Sequence, residues 1–223
     1  HYELKPKDMR ELLKAEAVFT LGVEAWEKRL ESSLPKGKVI KLKGSINLLR
    51  YGQFTDPHIW LSPKQYLTLV SNMKANLSKW DSSKELEERY RDYERKLMGL
   101  DQIYEQILKT CKIKTMITTH KAWGYLARDY NLKNIGIMGV HAEEEPKPSY
   151  MINIINTMKK DGIKVVFAEV GEDRKVADFI ASQTGARVIL INSSLFPFSA
   201  QDDYFSIMRK NLERIREGLE CQK

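Results

Sequence analysis

Short β-branched segments alternate with amphipathic segments along most of this 223-residue chain, and this alternation limits the possible folds more than any other feature. It is typical of βα units, in which parallel strands form a sheet and the intervening helices cover it. The predicted strands are residues 17–21, 39–42, 115–119, 134–138, 164–168 and 187–191. The sequence therefore predicts an α/β fold, and six strands fit either two small sheets or one large sheet.

The segment 83–112 carries the longest helical periodicity in the chain. Apolar side chains recur at steps of three and four without an interior proline, at Leu86, Tyr90, Tyr93, Leu97, Leu100, Ile103, Ile107 and Cys111. One helix of this length would extend about 40–45 Å, more than a single small domain needs. We predict an N-terminal lobe over residues 1–82, incomplete at its start, a linking helix over 83–112 and a C-terminal lobe over 113–223. A surface helix within one domain is the alternative.

The composition excludes some classes of protein. The formal net charge is +7, from 37 Lys and Arg against 30 Asp and Glu, but the basic residues are interleaved with acidic ones, as in 94–96. This pattern is typical of a solvated surface with salt bridges, so we predict no nucleic-acid partner. No uncharged apolar stretch approaches the ~18 residues that a membrane-spanning helix needs, which argues against an integral membrane protein.

The two cysteines, Cys111 and Cys221, form no CxxC motif and no cluster that could hold zinc through thiolates. They could form one disulfide between the middle and the end of the chain, or remain two buried thiols. The sequence leaves these alternatives open.

The histidines are the main candidates for chemistry, and there are four of them: His1, His58, His120 and His141. His58 lies in a proline-containing turn, 55–63. His120 follows the predicted strand 115–119 and so lies at a carboxyl end, where open α/β sheets bind ligands. Three imidazoles with one oxygen ligand suit Zn²⁺, whereas added carboxylates suit Mn²⁺ or Fe²⁺. Spacing alone also allows each histidine a purely structural role.

Three motifs resemble those of the zinc- and manganese-binding solute receptors of ABC transporters. Residues 1–8, HYELKPKD, resemble the segment after the first strand in that family. Residues 56–63, DPHIWLSP, resemble its second histidine motif and are the most specific signal, and residues 119–127, THKAWGYLA, are similar to its third. The resemblance covers essentially the whole chain but begins about 40–50 residues late, so we expect the first lobe to lack its start.

The resemblance implies two lobes with mainly parallel sheets flanked by helices, joined by one long backbone helix. It also implies that a metal ion is held between the lobes by His1 and His58 from the first lobe and His120 from the second. Many relatives place an Asp after the final strand, where this chain has Asn192. Its neutral amide is a weaker donor, so three histidines with Asn192 or water favour Zn²⁺ over Mn²⁺.

The sequence leaves the roles of two further residues open, with alternatives for each. Glu169 ends the strand 164–168 and either orients a metal-bound imidazole, acts as an alternative ligand, or caps a helix. The resemblance gives His141 no ligand role, and we expect it at the surface, with a secondary metal site as the alternative.

The sequence therefore predicts an extracytoplasmic receptor, periplasmic or a lipoprotein, that captures Zn²⁺, or alternatively Mn²⁺, and delivers it to an ABC-type membrane permease. We expect a monomer that is not an enzyme, and no signal segment within this chain. One alternative is a zinc-dependent hydrolase that uses the same histidines with Glu169 as general base. The other is a truncated receptor that no longer binds metal.

Overall fold

The structure is a computed structural model of the chain, and it describes residues 4–140, 146–197 and 199–222. These residues group into two compact units. Unit 1 contains the described residues up to Pro57 together with Leu67–Tyr93, and unit 2 contains His58–Tyr66 and the described residues from Glu94 onward. The division into residues 1–82, 83–112 and 113–223 remains a prediction, and the segment His58–Tyr66 groups with unit 2.

Unit 1 contains a βα unit and a small hairpin. Its elements are α1 (Pro6–Lys14), β1 (Val18–Thr20), α2 (Ala25–Ser33), β2 (Val39–Lys41), β3 (Arg50–Tyr51) and β4 (Phe54–Thr55). Strands β1 and β2 are parallel, with Val18 beside Val39, and β3 and β4 are antiparallel. Leu30 of α2 and Leu34, the residue just after α2, pack with Val18 in a small core. The turn before α2 is fixed by the buried Glu27 carboxylate, which accepts three backbone N–H groups.

Two longer helices contribute residues to both units. They are α3 (Pro63–Leu77) and α4 (Lys84–Leu108). The prediction of one uninterrupted helix in the segment 83–112 is confirmed, although the helix ends at Leu108. The chain tightens there, because the N–H groups of Thr110 and Cys111 bond to carbonyls three residues back.

Unit 2 is a parallel four-stranded sheet with helices on its faces. Its elements after α4 are β5 (Thr115–Thr118), α5 (Gly124–Asp129), β6 (Lys133–Gly136), α6 (Pro148–Asp161), β7 (Val165–Glu169), α7 (Lys175–Thr184), β8 (Arg187–Ile191) and α8 (Tyr204–Gly218). The strand order is β6-β5-β7-β8, and all pairs are parallel. The predicted α/β class is confirmed.

The sheet of unit 2 separates two hydrophobic clusters. Val165 and Phe167 of β7 belong to the cluster that includes Trp123 and Tyr104, whereas Val166 and Ala168 belong to the other cluster. Successive strand residues point to opposite faces, so this alternation shows a sheet buried on both sides. Loops at the carboxyl ends of its strands are therefore carried on a packed scaffold.

A disulfide joins Cys111, after α4, to Cys221, after α8. The backbone N–H of Ile113 donates to the carbonyl of Leu219 close by, at 3.0 Å. The structure thus selects the disulfide over the two buried thiols. Among the described residues, no helix combines the length and the apolar character required to cross a membrane.

Candidate metal centre

His58 precedes a single 3₁₀ turn, Ile59–Leu61, and hydrogen bonds attach this turn to other residues of unit 2. The indole Nε1 of Trp60 donates to the carbonyl oxygen of Ser193 at 2.9 Å. The hydroxyl of Tyr204 donates to the carbonyl oxygen of Trp60, also at 2.9 Å. The backbone around His58 is therefore held by the loop after β8 and by the first turn of α8.

Asp129, at the end of α5, forms a second attachment for the same segment. Its Oδ2 accepts from the hydroxyl of Ser62 at 2.6 Å and from the amide of Gln65 at 2.7 Å. Its Oδ1 accepts from Nε of Arg128 at 2.9 Å. The side chain of Asp129 is 7% exposed, so these donors satisfy a carboxylate that is nearly removed from water.

His120 follows β5 at the carboxyl end of the sheet, as predicted from its position in the sequence. The residue is buried, and the hydroxyl of Thr118 donates to its carbonyl oxygen at 2.7 Å. The next N–H, of Lys121, donates to the carbonyl of Gly139 at 3.1 Å. Both bonds fix the turn that carries the His120 ring.

The rings of His58 and His120 lie side by side, with centroids 5.3 Å apart and planes inclined by 54°. A Zn–N bond of about 2.0–2.1 Å places each ring centroid about 3.2 Å from the ion, and a tetrahedral angle then separates two centroids by about 5 Å. The observed spacing therefore fits two imidazoles that share one ion. Both residues belong to unit 2, so the pair lies within one compact unit.

Two carboxylates approach Nδ1 of His120. Glu169 Oε1 lies 3.9 Å from it and Glu172 Oε2 lies 3.6 Å from it. Burial raises the pKa of Glu169 above its ordinary value. Interaction with the His120 ring 3.6 Å away lowers the pKa of Glu172, and this outweighs the partial burial of that carboxyl. Sequence reasoning named Glu169 but missed Glu172, whose only sequence signal is its place in the loop after β7.

Asn192 lies just after β8 and is buried, but its side chain is engaged within its own loop. Oδ1 accepts from the backbone N–H of Phe196 at 3.2 Å, and Nδ2 donates to the carbonyl of Phe196 at 2.8 Å. Asn211 of α8 holds the backbone of Asn192 through two further bonds. A metal-ligating role for Asn192 remains a prediction, and it would compete with these loop contacts.

The other two histidines, His1 and His141, lie outside the described residues. Within the described ranges, no group of three or more His, Cys, Asp or Glu side chains is arranged to hold a metal ion. The metal hypothesis therefore rests on the His58 and His120 pair, whose nitrogen donors suit Zn²⁺. The roles of His1, His58, His120, Asn192 and Glu169 remain predictions.

Comparison with protein families identifies what this arrangement resembles. The family model described as "ZnuA: Zinc-uptake complex component A periplasmic" matches residues 1–218. Zinc-binding protein AdcA of Streptococcus pyogenes serotype M18 is 30% identical over 249 aligned residues, which cover 96% of this chain and 48% of that protein. The high-affinity zinc uptake system protein ZnuA of Bacillus subtilis is 30% identical over 244 residues, covering 98% of this chain and 76% of that protein. The chain spans about half the length of the AdcA relatives.

Solved structures show the same architecture. The laminin-binding protein Lmb of Streptococcus agalactiae, described as a bifunctional protein with adhesin and metal transporting activity, superposes with a TM-score of 0.86. The two sequences are 27% identical, and the match covers 98% of this chain and 85% of the other. This similarity confirms the predicted fold class over nearly the whole chain.

Proposed function

Because the chain belongs to the family of ZnuA, the periplasmic component A of the zinc-uptake complex, we propose that it captures Zn²⁺ outside the cytoplasm and delivers it to an ABC-type membrane permease. The zinc-binding and zinc-uptake names of AdcA and ZnuA support Zn²⁺ as the cargo. Mn²⁺ is the alternative cargo. The protein acts as a binding protein and not as an enzyme.

One observation carries this proposal: the 5.3 Å spacing of the His58 and His120 rings. Neutral imidazole nitrogens are borderline-soft donors that bind Zn²⁺ well, whereas Mn²⁺ favours oxygen-rich sites. His1 supplies the third imidazole of the proposed site. Asn192 or a water molecule supplies the oxygen, and neither brings a negative charge, which further favours Zn²⁺.

The backbone that carries the two rings is held in place before metal binds. Contacts of Trp60 and of Asp129 hold the segment around His58, and the hydroxyl of Thr118 holds the turn that carries His120. Backbone that is already ordered loses little conformational entropy when a ligand arrives. This support favours tight binding of the zinc ion.

The disulfide between Cys111 and Cys221 supports an extracytoplasmic location. Disulfides persist in oxidising compartments and are uncommon in the cytoplasm of mesophiles. The family relatives include a zinc-binding lipoprotein AdcA of Streptococcus pneumoniae, which agrees with the same side of the membrane. The protein is proposed to work there as a monomer, with the permease as its partner and without a nucleic-acid partner.

A zinc titration in competition with a chromophoric chelator tests the proposal. We expect one tight site in the purified protein, strongly weakened in His58→Ala and in His120→Ala. His141→Ala is the matched control, because no ligand role is assigned to that histidine, and its affinity should equal that of the wild type. If the wild type shows no detectable zinc binding, the proposal is rejected in favour of the alternative, a truncated receptor that no longer binds metal.

The pH dependence of the affinity tests histidine ligation itself. Protons compete with the metal for imidazole nitrogens, so zinc affinity should fall steeply between about pH 8 and about pH 5.5. The same titration at several pH values measures this effect. An affinity that stays constant over the range would reject imidazole ligands.

A further inference from the structure

A neutral imidazole carries one N–H, and the nitrogen that bears it cannot bind a metal. The hydrogen-bond partner of one nitrogen therefore decides which nitrogen is left as a donor. In His120, Nδ1 points to the carboxylates of Glu169 and Glu172, at 3.9 and 3.6 Å. Only one of these two carboxylates can accept the Nδ1–H without losing hydrogen bonds that it already makes.

Both carboxylate oxygens of Glu169 already accept hydrogen bonds from other groups. Its Oε1 accepts from the indole Nε1 of Trp123 at 3.0 Å, and its Oε2 accepts from the backbone N–H of Ser193 at 3.1 Å. The side chain is 1% exposed, and Trp123 itself is fully buried. If Glu169 moved toward His120, its buried hydrogen bonds with Trp123 and Ser193 would lengthen. We therefore assign this carboxylate to holding the loop after β8 in place.

Glu172 is placed differently. It lies three residues further along the loop after β7, and its side chain is 40% exposed. Its Oε2 needs to move about 0.5 Å to reach ordinary hydrogen-bonding distance from Nδ1. A partly exposed side chain with several rotatable bonds makes such a movement at little cost.

We propose that Glu172 is the positioning residue of His120: its carboxylate accepts the Nδ1–H of the ring and leaves Nε2 as the nitrogen that binds the metal. This deepens the proposed function and rests on it for the metal. The sequence analysis considered this orienting role for Glu169. Because both oxygens of Glu169 already accept hydrogen bonds, the structure favours Glu172.

Glu172 in this role should also strengthen metal binding. A carboxylate that accepts from a ligating imidazole raises the basicity of the other nitrogen and holds the ring in place. It also brings a negative charge close to a site whose predicted ligands are all neutral. Glu172 would thus supply the charge that Asn192 does not.

The tautomer of His120 in the metal-free protein gives the most direct test. In protein labelled with ¹⁵N-histidine, two-bond ¹H–¹⁵N spectra at about pH 8 distinguish the Nδ1–H and Nε2–H tautomers, and a His120→Gln variant identifies the signals. We expect the Nδ1–H form in the wild type and a shift toward Nε2–H in Glu172→Ala. An Nε2–H form in the wild type, or an unchanged tautomer in Glu172→Ala, would overturn the proposal.

Zinc affinity supplies the second test. Glu172→Ala should weaken binding about 10- to 100-fold. Glu172→Gln keeps an acceptor oxygen but removes the charge, so it should retain the Nδ1–H tautomer with a smaller loss of affinity. Asp173→Asn is its matched control, because it removes one charge from the adjacent exposed residue, and it should leave affinity unchanged.

The two proposals fail in different ways. If the wild type does not bind zinc, the proposed function fails, and the tautomer measurement still decides the role of Glu172. If the wild type binds zinc and Glu172→Ala binds it equally well, Glu172 does not position the ligand. Melting temperatures close to that of the wild type show that the variants fold.

Discussion

The imidazole rings of His58 and His120 lie 5.3 Å apart, although one lies in a proline-containing turn and the other follows the strand β5. Their proximity depends on the segment His58–Tyr66, which groups with the residues of unit 2. Side chains from distant parts of the chain hold that segment there.

The Asp129 carboxylate should stabilise the His58 segment. Asp129→Ala removes the acceptor for Ser62 and Gln65 and leaves these donors partly buried. We expect a loss of about 2–3 kcal/mol in the free energy of unfolding and weaker zinc binding, because the ring of His58 is less well held. Urea denaturation and zinc titration measure the two effects.

Two variants control for this substitution. Asp129→Asn keeps one acceptor oxygen, so it should cost less, about 1 kcal/mol. Glu213→Ala removes an exposed carboxylate from α8 and should change stability by less than about 0.5 kcal/mol. Equal stability of Asp129→Ala and Glu213→Ala would contradict the assigned role.

Gly136, at the end of β6, allows a close approach to the turn that carries His120. A Cβ there would lie 2.7 Å from the backbone nitrogen of Lys121 and 2.6 Å from the carbonyl oxygen of Met138. Gly136→Ala must therefore shift the backbone, and we expect a loss of about 1–3 kcal/mol and weaker zinc binding. Thermal and urea unfolding measure the loss.

Gly99 offers a matched control within α4. A Cβ at this position meets no atom within 4 Å, and alanine favours helices more than glycine does. Gly99→Ala should therefore stabilise the protein by up to about 1 kcal/mol. If both alanine variants raise stability, the close contact at Gly136 is not a constraint.

The disulfide should contribute strongly to stability, because it closes a loop of 110 residues in sequence separation. Reduction, or the double substitution of Cys111 and Cys221 by serine, should lower the free energy of unfolding by about 2–5 kcal/mol. Urea denaturation with and without a reductant measures the difference. The reductant should have no effect on the double variant, and an unchanged midpoint for the reduced wild type would contradict the prediction.

Stability should decrease at alkaline pH because of two buried tyrosines. Burial raises the pKa of Tyr104, and burial followed by hydrogen bonding to Asp101 raises the pKa of Tyr130. The unfolded chain loses these protons above about pH 10 while the folded protein keeps them, so unfolding becomes more favourable as pH rises. Each tyrosine should contribute at most about 1.4 kcal/mol per pH unit to the slope.

Phenylalanine variants assign this slope. Tyr104→Phe loses the hydrogen bond to the carbonyl of Met208 and is therefore less stable at neutral pH, but its free energy of unfolding should decline less above about pH 10. Tyr130→Phe should behave in the same way. Urea denaturation at a series of pH values measures the slopes, and slopes identical to that of the wild type would exclude both tyrosines as the cause.

Much of the fold could be predicted because β-branched runs and helical periodicity are local signals. The segment 187–191 matches β8, and the other predicted strands agree to within one or two residues at each end. The hairpin of β3 and β4 was missed, because strands of two residues carry no recognisable alternation. The predicted end of α4, residue 112, lies four residues beyond its observed end at Leu108. The apolar periodicity continues through the turn that follows the helix, which residues 107–111 form.

The site was predicted less completely. His58 and His120 were named because each lies beside a recognisable turn or strand end. The sequence analysis did not name Asp129 and Glu172, because their roles arise from contacts between residues far apart in sequence. The resemblance implied that His58 comes from the first lobe, whereas its segment groups with unit 2, where Trp60 and Ser62 form hydrogen bonds.

A crystal structure of the zinc-loaded protein, with anomalous diffraction at the zinc edge, tests the central claim most directly. We predict one ion with a nitrogen of His58 and a nitrogen of His120 each at about 2.0–2.1 Å, and with Nε2 as the ligating atom of His120. Zinc bound elsewhere, or bound to only one of these two rings, would contradict the account.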